Sequence, residues 1–531
     1  MIRRSRAWIA TGGLVLAAAM STGADAQKYG GTLKVLHMDN PPSASLHEEG
    51  TISTVVPYMA VYNNLVMYDQ HVAKNTIESI VPDLATSWSW NEDKSKLTFK
   101  LREGVKWHDG QPFTSKDVKC TFEMAKGIGD LKFRKSPRDL WWNNIDTIDL
   151  KGDHEVTFNL KRPQPALIAL MASGYAPIYS CHVPHTVMRT KPIGTGPFKV
   201  AEVRPNQSIR LVKNTDYWKP GCPYLDAIEY TIMTSRSTRL LAFVAGDFDL
   251  TFPTDITVPL LKDIRSQAPQ AQCTLRTSNV TTNLIFNREA PPFDNPEMRR
   301  ALALSIDRKA FIDILTEGQG IIGAAMLPPP HGLWGMPEED LLKVVGYGDV
   351  AKNREEARAI MRKLGYGPDK RLKIKLSTRD IAPFRDPAVI FIDQLKELYI
   401  NADLEVIETA VYYNRVFKKE YLIGINQTGS GVDDPDQHFY ENYGCGSLRN
   451  YTAYCNPELE KLFEKQMTLT DIEQRKKLVW EIDRLLQEDV ARPIIYHNVS
   501  AGCWQPHVKG YMLMVNSIYD GARMEDVWLD K

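Results

Sequence analysis

Lys373-Ile374-Lys375-Leu376-Ser377-Thr378, Leu404-Glu405-Val406-Ile407 and Tyr421-Leu422-Ile423-Gly424-Ile425-Asn426 are three short aliphatic runs, and helical stretches separate them. Each is β-rich and too short for a helix. A helix is predicted from about Pro387 to Leu398, and a shorter one before Tyr421. Strand and helix in alternation imply crossover connections and a mainly parallel sheet, so the region reads as α/β. Open parallel sheets hold ligands beyond the carboxyl ends of their strands. Gln427-Thr428-Gly429-Ser430-Gly431-Val432-Asp433-Asp434-Pro435-Asp436 occupies such a place. Glycines let backbone approach a ligand, free amides donate to it, and the carboxylates suit an amine or hydroxyls. The same residues also read as a plain turn in which Asp436 caps the next helix.

Outward from this body, the helix punctuation continues. Asn295-Pro296 is an N-cap followed by a favoured first residue. Asn353 with Glu356, and Thr470 with Glu473, have capping-box spacing, the first before a helix that stops at Gly365. Nearer the start, Gly30–Leu36, Leu97–Leu101 and Glu155–Leu160 read as strands, and Ser115-x-Asp117 opens a helix. Residues 57–189 therefore look α+β. Ile193-Gly194-Thr195-Gly196-Pro197-Phe198 reads as a tight crossing between domains. A chain of 531 residues exceeds one core, so two or three domains are expected.

The amino terminus carries Arg3, Arg4 and Arg6, an apolar run from Ile9 to Met20, and Ala24-Asp25-Ala26 before Gln27. That is the pattern of a secretory signal peptide cut after Ala26, and its apolar run falls short of the roughly 20 residues a membrane span needs. The expected product is an exported soluble protein. The Arg3-Arg4 pair leaves both the general and the twin-arginine route open. Lys plus Arg equals Asp plus Glu, 65 each, which gives no field for nucleic acid or anionic membrane. Seven cysteines enter an oxidising compartment. Cys445 and Cys455 bracket a short polar loop and form the best pair; Cys120 with Cys181 and Cys222 with Cys273 are weaker pairings, and Cys503 is left over.

Several stretches together resemble the family 5 solute-binding proteins of ABC importers, the group containing dipeptide-, oligopeptide- and nickel-binding proteins. The strongest are Pro82-Asp83-Leu84-Ala85-Thr86-Ser87-Trp88 and the segment from Leu97 to Val118, with Trp107-His108-Asp109-Gly110 at its centre. Pro192–Phe198, Asn214-x-x-Tyr217-Trp218, Gly246-Asp247-Phe248-Asp249 and Arg299-x-Ala301-Leu302-x-x-x-Ile306-Asp307-Arg308 extend the resemblance over nearly the whole chain after the leader. It implies a large two-lobed α/β fold of the type II periplasmic-binding-protein kind, with an extra α+β subdomain. Lobe I would comprise 27–56, 190–282 and 500–531, its subdomain 57–189, and lobe II 283–499. The implied action is hinge closure around a solute in the periplasm and delivery to ABC permease subunits in the inner membrane.

The resemblance also implies a pocket lined by Gly429, Ser430, Gly431, Val432, Asp433, Asp434 and His438. It points more loosely to Glu49, to Trp141 (with Trp142) and to Asn498. Peptide binders of the family place an acid in this loop for the peptide's amino terminus; aligned on Asp434-Pro435-Asp436, Gly431 stands at that position. The expected ligand is therefore a small organic solute, with a short peptide as the alternative, bound by a monomer without cofactor. A secreted hydrolase is the rival class. There is no G-x-S-x-G, no H-E-x-x-H and no phosphate loop. His108 with Asp109 reads as a turn rather than a catalytic pair. Pro184 between His182 and His185 spoils a helical metal pair, and nothing in the His and Cys pattern supports nickel or haem capture.

Overall fold

Alternation of buried and open side chains builds three sheets of four or five strands, beside two two-stranded ones. Thr32–His37 runs parallel to Ala227–Ile232, and Ser208–Lys213 and Phe198–Arg204 complete a four-stranded sheet by antiparallel pairing. A second sheet is wholly antiparallel, in the order Ala85–Trp90, Lys96–Leu101, Glu155–Leu160, Ile145–Leu150. Leu97, Phe99 and Leu101 point from it into the core, and Phe122 of the helix Ser115–Lys126 packs edge-on against Phe158 and Trp142. The third sheet has the order Ile400–Ile407, Leu372–Arg379, Ile423–Gly429, Gln272–Phe286, Ile494–Trp504. This architecture is described by a computed structural model for residues 27–128 and 132–531. The signal peptide and its cleavage at Ala26 lie outside those residues.

The three strands first read from sequence are indeed parallel. The sheet as a whole is mixed, because Gln272–Phe286 and Ile494–Trp504 pair antiparallel. One carries the chain into the second lobe and the other carries it back, so they must oppose. They are long enough to belong to both lobes. Their far halves join the five-stranded sheet, while Leu250 bridges to Trp504 and Ile256 to Ala501 on the first-lobe side. Register slips between Thr277 and Thr281, midway along the ribbon.

Helix starts move from their expected places where a better cap is at hand. Asp349 caps Val350–Lys363, so Asn353 sits inside that helix; Asp471, not Thr470, caps Ile472–Glu488. Asp434, not Asp436, caps Pro435–Tyr443. Carboxylate caps bond the free amides and favour the positive helix end. Gly194 and Gly196 press on the backbone of Val61, where an added Cβ would lie 1.9 and 2.5 Å from its carbonyl group. His108 is fixed by the same crossing, through its ring contact to the Gly196 carbonyl at 3.0 Å, and burial lowers its pKa to about 4. The disulfides are Cys120–Cys181, Cys273–Cys503 and Cys445–Cys455. Cys222 is the free thiol, which corrects the pairing of Cys222 with Cys273 and the reading of Cys503 as left over. Adjacent antiparallel strands bring Cys273 and Cys503 into direct register, a relation not visible before the strands are paired.

Candidate functional site

Where the paired strands slip register, Ser278, Val280 and Asn498–Ser500 form the back of a cavity. Its first-lobe wall is Met38, Gly50–Ile52, Arg236 and the turn Thr254–Thr257. Its second-lobe wall comes from the end of Leu372–Arg379 and the start of the helix Ala382–Leu395, with Tyr413, Gln427 and Tyr496. Ile518 and Tyr519 of the carboxy-terminal segment close one side. Pro387 lies inside the helix and has no N–H for the Pro383 carbonyl. Gln427 donates to that carbonyl instead, at 2.9 Å, which joins two parts of the wall.

Charges of the wall are paired across the lobes. Arg379 Nη2 lies 2.6 Å from Asp39 Oδ2, and the Ser53 and Thr409 hydroxyls also donate to Asp39. Burial alone would raise the Asp39 carboxyl, but Arg379 and those hydroxyls outweigh it and hold the group below its usual range. Arg236 Nη1 meets Asp386 at 3.1 Å. The guanidinium of Arg379 also lies over the Phe384 ring at 4.6 Å. The arrangement offers an aromatic and aliphatic chamber with fixed polar groups at its rim, suited to enclosing a small molecule.

Of the residues read from sequence, Asn498 faces this chamber, and its side-chain oxygen accepts from Thr282 at 2.8 Å. The others gather next to it in a packed junction between the second lobe and the subdomain. A Cβ on Gly431 would stand 2.9 Å from Ser173 Oγ and 3.0 Å from the Trp141 ring, so a side chain there would have to displace them. A Cβ on Gly429 would strike the Tyr519 ring. Ser430 donates to the Val432 carbonyl and the Gln437 side chain, and Val432 is fully buried. Asp433 accepts from Asn516, and burial raises its pKa to about 6. Asp434 takes a two-pronged contact from Arg475 at 2.7 and 3.0 Å. His438 is buried and its pKa is lowered to about 3, chiefly by burial. Trp141 Nε1 donates to Glu441 at 3.0 Å. Glu49 is paired with Arg134 and Lys135.

Arg379, Phe384, Tyr413, Arg236 and Tyr519 were not singled out from sequence. Arg379 had a usable signal: it directly follows a predicted strand, the same carboxyl-end position that drew attention to 427–436. Arg236, Tyr413 and Tyr519 are brought in by other elements and carry no local mark. Among the described residues no group of His, Cys, Asp and Glu is placed to hold a metal ion, and no helix is long and apolar enough to cross a membrane.

Residues 79–450 match the family described as bacterial extracellular solute-binding proteins, family 5 Middle. Heme-binding protein A of Haemophilus influenzae is 26% identical over 504 residues, covering 88% of this chain and 87% of the relative. Di/tripeptide-binding protein 1 of Pseudomonas aeruginosa is 27% identical over 470 residues, covering 82% and 83%. Among solved structures, Haemophilus influenzae OppA in complex with RPPGFSPFR superposes with a TM-score of 0.83 at 20% identity, covering 95% of this chain and all of that one. DppA of Helicobacter pylori in complex with peptide STSA gives 0.81 at 23% identity, covering 95% and 99%. The fold is thus that of the two-lobed periplasmic binding proteins.

Proposed function

The chain belongs to the bacterial extracellular solute-binding proteins of family 5, and from that premise we propose that it is the receptor of an ABC import system, closing two lobes on a small organic solute. One observation carries the reading: a single chamber whose walls come from both lobes and whose back is the ribbon joining them. Such a site binds its ligand best when shut, so ligand shifts an open–closed equilibrium toward the closed form. The protein holds its cargo unchanged and hands it to permease subunits in the inner membrane, working as a monomer in the periplasm after removal of residues 1–26. In this reading lobe I comprises 27–56, 190–282 and 500–531 with 57–189 as its subdomain, and lobe II comprises 283–499. Gly429–Asp434, Trp141, Glu49 and His438 then brace the closed junction from behind, and Asn498 faces the cargo.

A short peptide is the second reading, favoured by relatives that carry di- and tripeptide-binding names. Against it stands Gly431, whose place carries no acid and is crowded by Ser173 and Trp141. Small-angle scattering tests the receptor reading: the radius of gyration of the mature protein should fall when a bound solute is added. Unchanged dimensions with every solute that raises Tm would sink hinge closure. Protein recovered from the periplasm should begin at Gln27.

A further inference from the structure

The charges that line the chamber are all spent within the protein. Arg236, Arg379 and Asp386 are the ones that face it, and no Lys, His or Glu does so among the described residues. Arg379 is held by Asp39 at 2.6 Å and covered by the Phe384 and Tyr413 rings, 4.6 and 5.2 Å away. Arg236 reaches two carboxylates, Asp386 at 3.1 Å and Asp255 at 3.5 Å, and Asp255 also takes a two-pronged contact from Arg239. Three guanidinium groups thus meet three carboxylates. The helix Ala382–Leu395 opens on the chamber, yet it offers few amides to an anion: Pro383 has none, and those of Phe384 and Arg385 bond the Ile381 carbonyl. A charged group entering this space loses its water and finds no free partner, which is costly.

Between these pairs the wall is apolar. Ile52, Ile256 and Ile518 from the first lobe, and Leu315, Phe384 and Tyr496 from the second, supply aliphatic and aromatic surface on both sides. One polar group is oriented among them by a relay. Gln427 donates to the Pro383 carbonyl and, at 3.5 Å, to the Thr282 hydroxyl. That hydroxyl donates in turn to the Asn498 side-chain oxygen at 2.8 Å. The relay fixes which end of the Asn498 amide is which, and leaves its NH2 on the chamber wall without a partner among the described residues. An unspent amide N–H in an apolar setting recognises an oxygen acceptor, a carbonyl or a hydroxyl.

We propose that the captured solute is uncharged and mainly apolar, of aromatic or branched aliphatic character, with an oxygen acceptor that meets the Asn498 amide. The inference rests on the receptor reading and narrows it. It is tested by calorimetry on the mature protein with benzamide and benzyl alcohol against benzoate, benzylamine and the dipeptide Ala-Phe, with toluene and glucose as apolar and polar neutral controls. The neutral oxygen-bearing pair should bind about tenfold or more tighter than any charged probe. Asn498→Leu should weaken benzamide about tenfold and leave toluene unchanged; equal weakening of both would make Asn498 merely structural and overturn its role. Asn498→Asp, of the same shape, should bring benzylamine above benzamide, and serves also if the leucine variant misfolds. Charged probes that bind as tightly as the neutral pair, or benzamide affinity that survives Asn498→Leu, overturn the assignment and leave the receptor intact. Binding of glucose alone does the same. Silence toward the whole set overturns it too, whereas the receptor reading falls only when no solute at all alters Tm or dimensions.

Discussion

Asp434 shows how one carboxylate can be committed twice. It accepts from the Asp436 amide at the head of a helix and holds Arg475 in a two-pronged contact. Asp434→Ala should therefore be read in stability, with a loss of about 2–4 kcal/mol from a lost cap and an unmatched buried guanidinium. Chemical denaturation measures it, and an unchanged midpoint would contradict the pairing. Asp520 offers a pH test. Its carboxyl is buried, accepts from the Gly174 amide at 2.8 Å, and is pushed up to about 7 by that burial. In the unfolded chain it titrates near pH 4. Between these values only the folded state keeps the proton, so this group's contribution falls as pH rises through that window and is lowest above it. Asp520→Asn should gain on the wild type from pH 4 to pH 8 by on the order of 3 kcal/mol, while a constant difference would refute the raised value. Neither role was visible in sequence. The acidic character of 433–436 is plain to read, but a helix 39 residues or more away supplies Arg475, and no local pattern announces it.

At the scale of elements, the parallel strands were legible because apolar runs of strand length alternate with helical ones. The two joining strands were not read at all, and only their pairing discloses that they span both lobes. Cap positions slipped for a related reason: several residues near each helix start can cap, and tertiary packing chooses among them. The ribbon is tied by Cys273–Cys503 at its first-lobe end. Replacing both cysteines by serine should lower stability by about 2–5 kcal/mol, seen as a fall in Tm from the oxidised wild type that reduction of the wild type also produces. Since the slip at Thr277–Thr281 lies beyond the bridge, the variant should still close on ligand. Loss of closure would place the moving point elsewhere.

Over the whole molecule, the proposed receptor role makes the Asp39–Arg379 pair a contact that forms on closure. Asp39 and Arg379 come from opposite walls. Asp39→Asn leaves Arg379 buried and unmatched in the shut form alone. Ligand affinity should drop by about tenfold or more through a smaller closed population, with the open form's dimensions unchanged in scattering. Equal affinity would show that the pair contributes nothing to closing. The sequence motifs gave the family and the two-lobed plan because they mark tight crossings such as Gly194 and Gly196, which tolerate little change. They gave few walls of the chamber, because those side chains arrive from many separate segments.

The ends of the folded chain also meet. Lys28 is bonded to Asp530 at 2.7 Å, and Thr32–His37 pairs in parallel with Ala227–Ile232, nearly two hundred residues later. The opening strand is thus completed only by residues from much later in the chain, and the last residues close the seam beside Lys28. A short deletion at the tail should therefore loosen the amino-terminal strand, read as faster proteolysis of the folded variant than of the wild type.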